Sequence, residues 1–345
     1  MDRFAPGLDV GLNLPSRRSG RALDHQQLLA IAEAVDEEAS WDSIWVGDSA
    51  IALPFYESIV LLSACAARTQ RVRLGIGCMA TIGLRHPLLL AQQLANLDAL
   101  SQGRLTLVAC PGWGSGDDVR RELDAFSISY TEKVARMEQN IAFLRRLSGE
   151  DRASFHEPVR VDNLELTPGF VQRPFPIWLA ANPAADASPA TTERLLARVA
   201  RLGDGWETYA IAPALLRERV ARVRQLRAEL GREDEHFPIS VYTYANVNHD
   251  EAAALRDVAA VWSKQSTRSL NAAELQSISA IGTPQRCSEF IAGLVDAGAT
   301  GVVLDLLSED HERQLLTVTE DLLPLLASLR PAARSTNPLA AGHMN

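Results

Sequence analysis

Apolar residues along this chain gather into eight short runs, and most of these runs are followed by a stretch with helical spacing. Asp9–Pro15 (DVGLNLP) reads as a first strand. Leu28, Ala32, Val35 and Ala39 then recur at three- and four-residue intervals, which predicts a helix, with Asp24 as its N-cap. Ser43–Asp48 (SIWVGD) is a second strand ending on a carboxylate, and a helix follows around residues 57–67. Val72–Cys78 (VRLGIGC) is a third strand; its loop runs to His86, and Pro87 suits the first turn of a helix faced by Leu90, Leu94 and Leu97. Leu105–Cys110 is a fourth strand, with Met137, Ile141 and Leu144 marking the next helix.

Residues 148–175 read as irregular. Pro176–Asn182 (PIWLAAN) is a fifth strand and Asp204–Tyr209 (DGWETY) a sixth. A long stripe of Leu216, Val220, Val223, Leu226 and Leu230 follows. Pro238–Ala245 is a seventh strand and Gly301–Leu307 an eighth, with a last helix carrying Leu315, Leu322, Leu326 and Leu329. Strands apolar on both faces predict a parallel sheet covered on both sides. Eight such units in one chain predict a (β/α)8 TIM barrel in one domain over residues 1–330. Residues 246–282 exceed a simple crossover, so an insertion after the seventh strand is expected over the barrel mouth. Residues 331–345, rich in Pro, Ala, Ser and Asn, are expected to form a loose tail. A doubly wound sheet is the rival, but no GxGxxG follows the first strand and no GxxxxGK[ST] occurs.

Residues 98–113 (DALSQGRLTLVACPGW) join a helix end, a tight turn, a buried strand and a Gly-bearing loop. The pattern LD-x-LS-x-GR, an apolar strand and PGW resembles the bacterial luciferase-like flavin-dependent oxidoreductases. The segment around Arg198, Arg201 and Asp204-Gly205-Trp206 also resembles that family. The resemblance implies a luciferase-like barrel that binds reduced FMN, supplied by a separate flavin reductase, and oxidises a small organic substrate. An alternative in the same fold is hydride transfer from the deazaflavin coenzyme F420. A flavin-binding barrel without turnover is the second alternative. Relatives are commonly dimers or tetramers, so a homo-oligomer is expected.

The candidate residues stand at strand ends. Asp48, Ser49 and His86 are the catalytic candidates, with Asp48 expected to line the pocket. Several family members carry a histidine where Gly47-Asp48-Ser49 stands, which argues against histidine-assisted chemistry of the luciferase type. The resemblance implies a cis peptide at Gly77–Cys78 against the flavin ring. Cys110, Gly112 and Trp113 are the coenzyme-binding candidates at the fourth strand; Pro111 stands where luciferases have a phosphate-binding arginine. Ala180, Ala181 and Asn182 form a small-residue turn that would meet the coenzyme phosphate through backbone N–H groups. Asp204 reads as a structural salt-bridge partner, and Trp41, Trp45, Trp178 and Trp206 as core.

Composition narrows the field further. A net charge of −9 with no basic stripe speaks against nucleic acid. Cys65, Cys78, Cys110 and Cys287 are scattered without metal-ligand spacing, so a reduced, cytoplasmic protein without a metal site is expected. The amino terminus has no apolar signal-peptide core, and no run approaches a membrane span. No HExxH, EF-hand loop or nucleophile elbow appears.

Overall fold

The computed structural model describes residues 7–17, 23–112, 116–265 and 271–329. Eleven strands are present among them: β1 (Asp9–Asn13), β2 (Ser43–Val46), β3 (Arg73–Met79), β4 (Leu105–Ala109), β5 (Ala153–Phe155), β6 (Val161–Leu164), β7 (Ile177–Ala180), β8 (Trp206–Tyr209), β9 (Ile239–Val247), β10 (Ala280–Gly282) and β11 (Gly301–Leu306). β1, β2, β3, β4, β7, β8, β9 and β11 pair in that order, all parallel, and β11 returns to β1 with Asp9 opposite Gly301. Closure to a (β/α)8 barrel excludes the doubly wound alternative. All eight expected strands are found, with ends shifted by a few residues.

Helix entry follows local chemistry. Asp24 caps the helix His25–Glu37 in a reciprocal capping box with Gln27. Prolines 87, 189, 213 and 284 each stand in a first helical turn, where the missing N–H costs nothing.

Two elements depart from the expected pattern. Residues 148–175, expected to be irregular, hold the antiparallel β5–β6 hairpin. A short helix, Asp117–Ala125, buries Glu122 and otherwise no side chain fully, so it leaves no apolar stripe to read.

The segment after β9, the barrel's seventh strand, sits at the carboxyl side. Its short strand β10 pairs with the last residues of β9, Ala280 opposite Ala245. A satellite core of Ala254, Val258, Val261, Leu275, Ile281 and Leu307 holds it there. Trp262 meets Tyr244 edge-on, with ring centroids 5.1 Å apart. The insertion therefore borders the mouth. The tail after residue 330 lies outside the described residues. No described helix is long and apolar enough to cross a membrane.

Candidate active site

Trp45 (β2), Val108 (β4), Trp178 (β7) and Val303 (β11) form one cluster, with Cys78, Ala180 and Tyr242 packed against it. These strands lie around the ring, so their side chains meet only inside the barrel. The indoles of Trp45 and Trp178 stand 5.9 Å apart and fill its middle. A Cβ at Gly75 would lie 2.0 Å from the Trp45 ring, so glycine there is what admits the indole. This plug is the floor of the carboxyl-end mouth.

The Gly77–Cys78 peptide is cis, as the resemblance implied. Opposite it lies Glu207 of β8. A Cβ on Gly77 would stand 3.1 Å from Glu207 Oε2. Glu207 is buried, and its Oε2 has no hydrogen-bond partner. Burial raises its carboxyl from 4.5 to about 8, so it holds a proton at neutral pH. Beside it, Asn13 Nδ2 donates to Asp305 Oδ1 at 3.1 Å, and the Tyr242 phenol also donates to Asp305. Burial, helped by the Asp305 carboxylate, pushes the Tyr242 phenol well above its ordinary range. Burial also raises Asp305, against the hydrogen bonds from Asn13 and Tyr242 and the charge of Arg17. Tyr209 stacks near Tyr242 and meets Tyr244 edge-on, both at 5.3 Å, making an aromatic rim.

None of these acids and tyrosines was a sequence candidate. The available signal was a lone carboxylate in each buried strand, Glu207 in WETY and Asp305 in GVVLDL.

Asp48 is buried at the end of β2, and its side chain is engaged in a network between loops. Oδ1 accepts from Ser58 Oγ at 2.7 Å, and Oδ2 accepts from the Thr81 backbone N–H at 2.8 Å and from Thr81 Oγ1 at 2.6 Å. Arg85 Nη2 lies 3.4 Å from Oδ1 and also pairs with Glu57. The residue ties the β2 end to the segment leaving β3. Ser49 is likewise engaged: its hydroxyl donates to Glu122 Oε2 at 3.3 Å and accepts from the Leu53 N–H. That same Glu122 oxygen accepts the N–H groups of Ala50, Ile51 and Ala52. The other Glu122 oxygen pairs with the buried Lys133 ammonium at 3.2 Å. Although burial opposes ionisation, the backbone N–H groups and Lys133 hold Glu122 below its ordinary pKa. His86 is exposed at the start of the helix Pro87–Leu100 and caps it through no side-chain bond.

Cys78 and Cys110 are joined in a disulfide, with Cα atoms 5.8 Å apart. This corrects the expectation of four reduced cysteines. The residues are 32 apart in sequence, but β3 and β4 are neighbours, so their ends bring the two thiols together. Gly112 has a φ of +70°, and its N–H donates to Cys110 Sγ at 3.3 Å. Trp113 lies outside the described residues.

At the end of β7, the Ala181 carbonyl accepts from Trp206 Nε1 at 3.0 Å, and exposed Asn182 accepts from Thr208 at 3.2 Å. Buried Arg219 lies beneath this turn, donating to the Pro183 carbonyl at 2.6 Å and the Ala184 carbonyl at 3.3 Å. Its Nε has no partner. Arg219 occupies a core position in the stripe of its helix, between Leu216 and Val223, a signal the sequence reading passed over. Asp204 is the structural partner expected, pairing with Arg145 at 2.6 Å and accepting from the Ile177 N–H. Among the described residues no cluster of side chains could hold a metal ion.

The chain can now be set beside known proteins. It is 25% identical over 342 residues to an F420-dependent glucose-6-phosphate dehydrogenase of Amycolatopsis mediterranei, covering 85% of this chain and 92% of the relative. Among solved structures, the monooxygenase RslO1 of Streptomyces bottropensis superimposes with a TM-score of 0.73 at 22% identity, covering 92% of this chain and 99% of that one. An F420-dependent secondary alcohol dehydrogenase in complex with an F420–acetone adduct gives 0.74 at 16% identity, covering 93% and 99%. These two likenesses establish the fold. The model of the luciferase-like monooxygenase family matches residues 8–301, and the chain belongs to that family.

Proposed function

We propose that this protein is an oxidoreductase that acts on a small organic molecule with a reduced flavin-type coenzyme held at the barrel mouth. The observation that carries this reading is the buried, unpartnered Glu207 Oε2 facing Gly77 at the end of β3. A flat heteroaromatic ring fits here: Gly77–Cys78 offers a wall, and Tyr209, Tyr242 and Tyr244 a rim. Glu207 Oε2 and Asn13 Oδ1 are buried polar atoms awaiting partners. The coenzyme, when bound, supplies the two-electron chemistry.

The chain supplies the rest. Glu207 stores a proton at its carboxyl, with a pKa near working pH, as an efficient general acid requires. Tyr242, oriented by Asp305, is the second proton-bearing group at the mouth. The aromatic rim with Trp262 excludes water. Buried Arg219 puts positive charge under the Ala180-Ala181-Asn182 turn, favouring an anionic coenzyme tail there. Asp48 and Ser49 act as positioning residues, since their polar atoms are committed to loop structure. His86, exposed at the start of the helix after β3, is our proposed group on the substrate side.

The finer reading is reduced FMN, delivered by a separate reductase, with the protein acting as a monooxygenase. Hydride transfer with coenzyme F420 is the second reading, and the F420-dependent dehydrogenase matching most of this chain favours it. Anaerobic titration of the purified protein with reduced FMN and reduced F420 tests both. Tight binding of one, weakened in Arg219→Ala, is the expected outcome; binding of neither overturns the proposal.

A further inference from the structure

We infer that Cys78 and Cys110 form a redox-active dithiol–disulfide centre that exchanges two electrons with the reduced coenzyme. The inference rests on the reading that the coenzyme ring lies against Gly77–Cys78. Cys78 follows Gly77, which faces the Glu207 carboxyl, so its sulfur is one side chain away from the proposed ring position. The pair also belongs to the wall of the mouth. Cys78 is half-buried against the cluster of Trp45, Val108, Trp178 and Val303, and Cys110 directly follows the adjacent strand β4.

The other two cysteines make the contrast. Cys65 and Cys287 are free and buried, and burial pushes both thiols up to about 12. They behave as small apolar side chains. Neither has a cysteine neighbour or a place at the mouth. Cys110 instead accepts the Gly112 N–H on its sulfur at 3.3 Å. A hydrogen bond to sulfur favours the thiolate, the form released when a disulfide is reduced.

The step balances without a further reagent. The disulfide accepts a hydride equivalent, two electrons and one proton, from the reduced flavin or deazaflavin. The S–S bond breaks, one sulfur leaves as a thiol, and the other remains a thiolate held by the Gly112 N–H. The coenzyme is left oxidised. The reverse step returns the electrons, so the pair is a two-electron store beside the coenzyme.

Thiol counting tests this independently of turnover. The full-length protein, purified without reductant, is first titrated anaerobically with reduced FMN and reduced F420 to establish binding. It is then mixed anaerobically with one equivalent of the reduced form of the coenzyme that binds, quenched in denaturant with an alkylating agent, and weighed by mass spectrometry. The expected count is two alkylated cysteines before mixing, Cys65 and Cys287, and four after, with the coenzyme spectrum turning to the oxidised form. Cys78→Ser and Cys110→Ser, checked for folding by circular dichroism and supplied with coenzyme at saturation, should leave it reduced. A bound coenzyme that stays reduced, with the count fixed at two until dithiothreitol raises it to four, overturns the inference and leaves the proposed function standing. A count of four in the untreated protein also overturns it alone. No binding of either coenzyme overturns both.

Discussion

The two ends of the barrel treat polar side chains in opposite ways. At the amino-terminal end, most buried charge is paired and most donors are used, although burial lowers Arg73 from 12.5 to about 10. Arg104 spends its guanidinium on the Ser101, Val72, Ala66 and Thr69 carbonyls and on the Thr69 hydroxyl. Arg71 does the same with the Asp36, Trp41, Val35 and Glu38 carbonyls. Arg73 pairs with Asp9, and Asp98 accepts the Val171 and Gln172 N–H groups and the Gln172 side chain. At the carboxyl end, Glu207 Oε2 and Asn13 Oδ1 are buried without partners, and Glu207, Asp305 and Tyr242 are all pushed from their ordinary pKa values by burial. Buried polar groups are normally satisfied, so an end that leaves them open is the one that receives something. The amino end is scaffold; the carboxyl end is where we propose the site.

Substitutions should separate the ends. Glu207→Gln keeps the shape and removes the acid. Turnover should fall about 10²–10⁴-fold, the range for a general acid, with the unfolding midpoint at neutral pH preserved or raised. Steady-state kinetics beside urea unfolding would check this, and an unchanged rate would break the assignment of the carboxyl end. Asp98→Ala should do the reverse: about 2 kcal/mol of stability lost, because three part-buried donors lose the buried carboxylate that accepts from them, while coenzyme affinity of the folded protein holds.

Asp48→Ala sharpens the boundary between the two behaviours. Asp48 stands at the carboxyl end yet is satisfied like an amino-end residue. We expect about 2 kcal/mol of destabilisation by chemical unfolding, from the Thr81 and Ser58 groups left without an acceptor, and a smaller loss of coenzyme affinity. A large loss of turnover at unchanged stability would return Asp48 to the catalytic set.

The last contrast is with pH. Glu207 has a folded-state pKa raised from 4.5 to about 8. Its contribution is therefore fully present below pH 4.5 and is lost as pH rises toward 8, at most about 1.4 kcal/mol per pH unit. Stability of the wild type should fall across that window relative to Glu207→Gln, as measured by unfolding midpoints at several pH values. Parallel curves would mean that Glu207 ionises freely.

This contrast also explains what could be read from the sequence. Barrel strands were legible because burial on both faces writes continuous apolar runs. The LD-x-LS-x-GR signature was the most recognisable stretch, yet Asp98, the turn at Gln102 and Gly103 with positive φ, and Arg104 all serve the amino end. The signature identifies the scaffold and is silent about chemistry. The β5–β6 hairpin was missed because its strands are short and β6 is largely exposed. Glu207, Tyr242 and Asp305 were missed because their significance is that they come together inside the barrel from β8, β9 and β11, which depends on barrel closure. Cys78 and Cys110 become a pair only when β3 and β4 align. Of the residues nominated from sequence, Gly77, Cys78, Cys110 and the Ala180–Asn182 turn do stand at strand ends around the mouth. Asp48 and Ser49 hold the loops instead.

The central claim is that a protonated carboxyl waits at the coenzyme site, and nuclear magnetic resonance observes it directly. With glutamate labelled by carbon-13 at the carboxyl, wild type and Glu207→Gln would be titrated side by side. The account predicts one carboxyl resonance, absent from the variant, that titrates with a midpoint of about 8 and moves when coenzyme binds. If the resonance lost in the variant titrates near 4.5 instead, Glu207 is an ordinary carboxylate and the site assignment is contradicted.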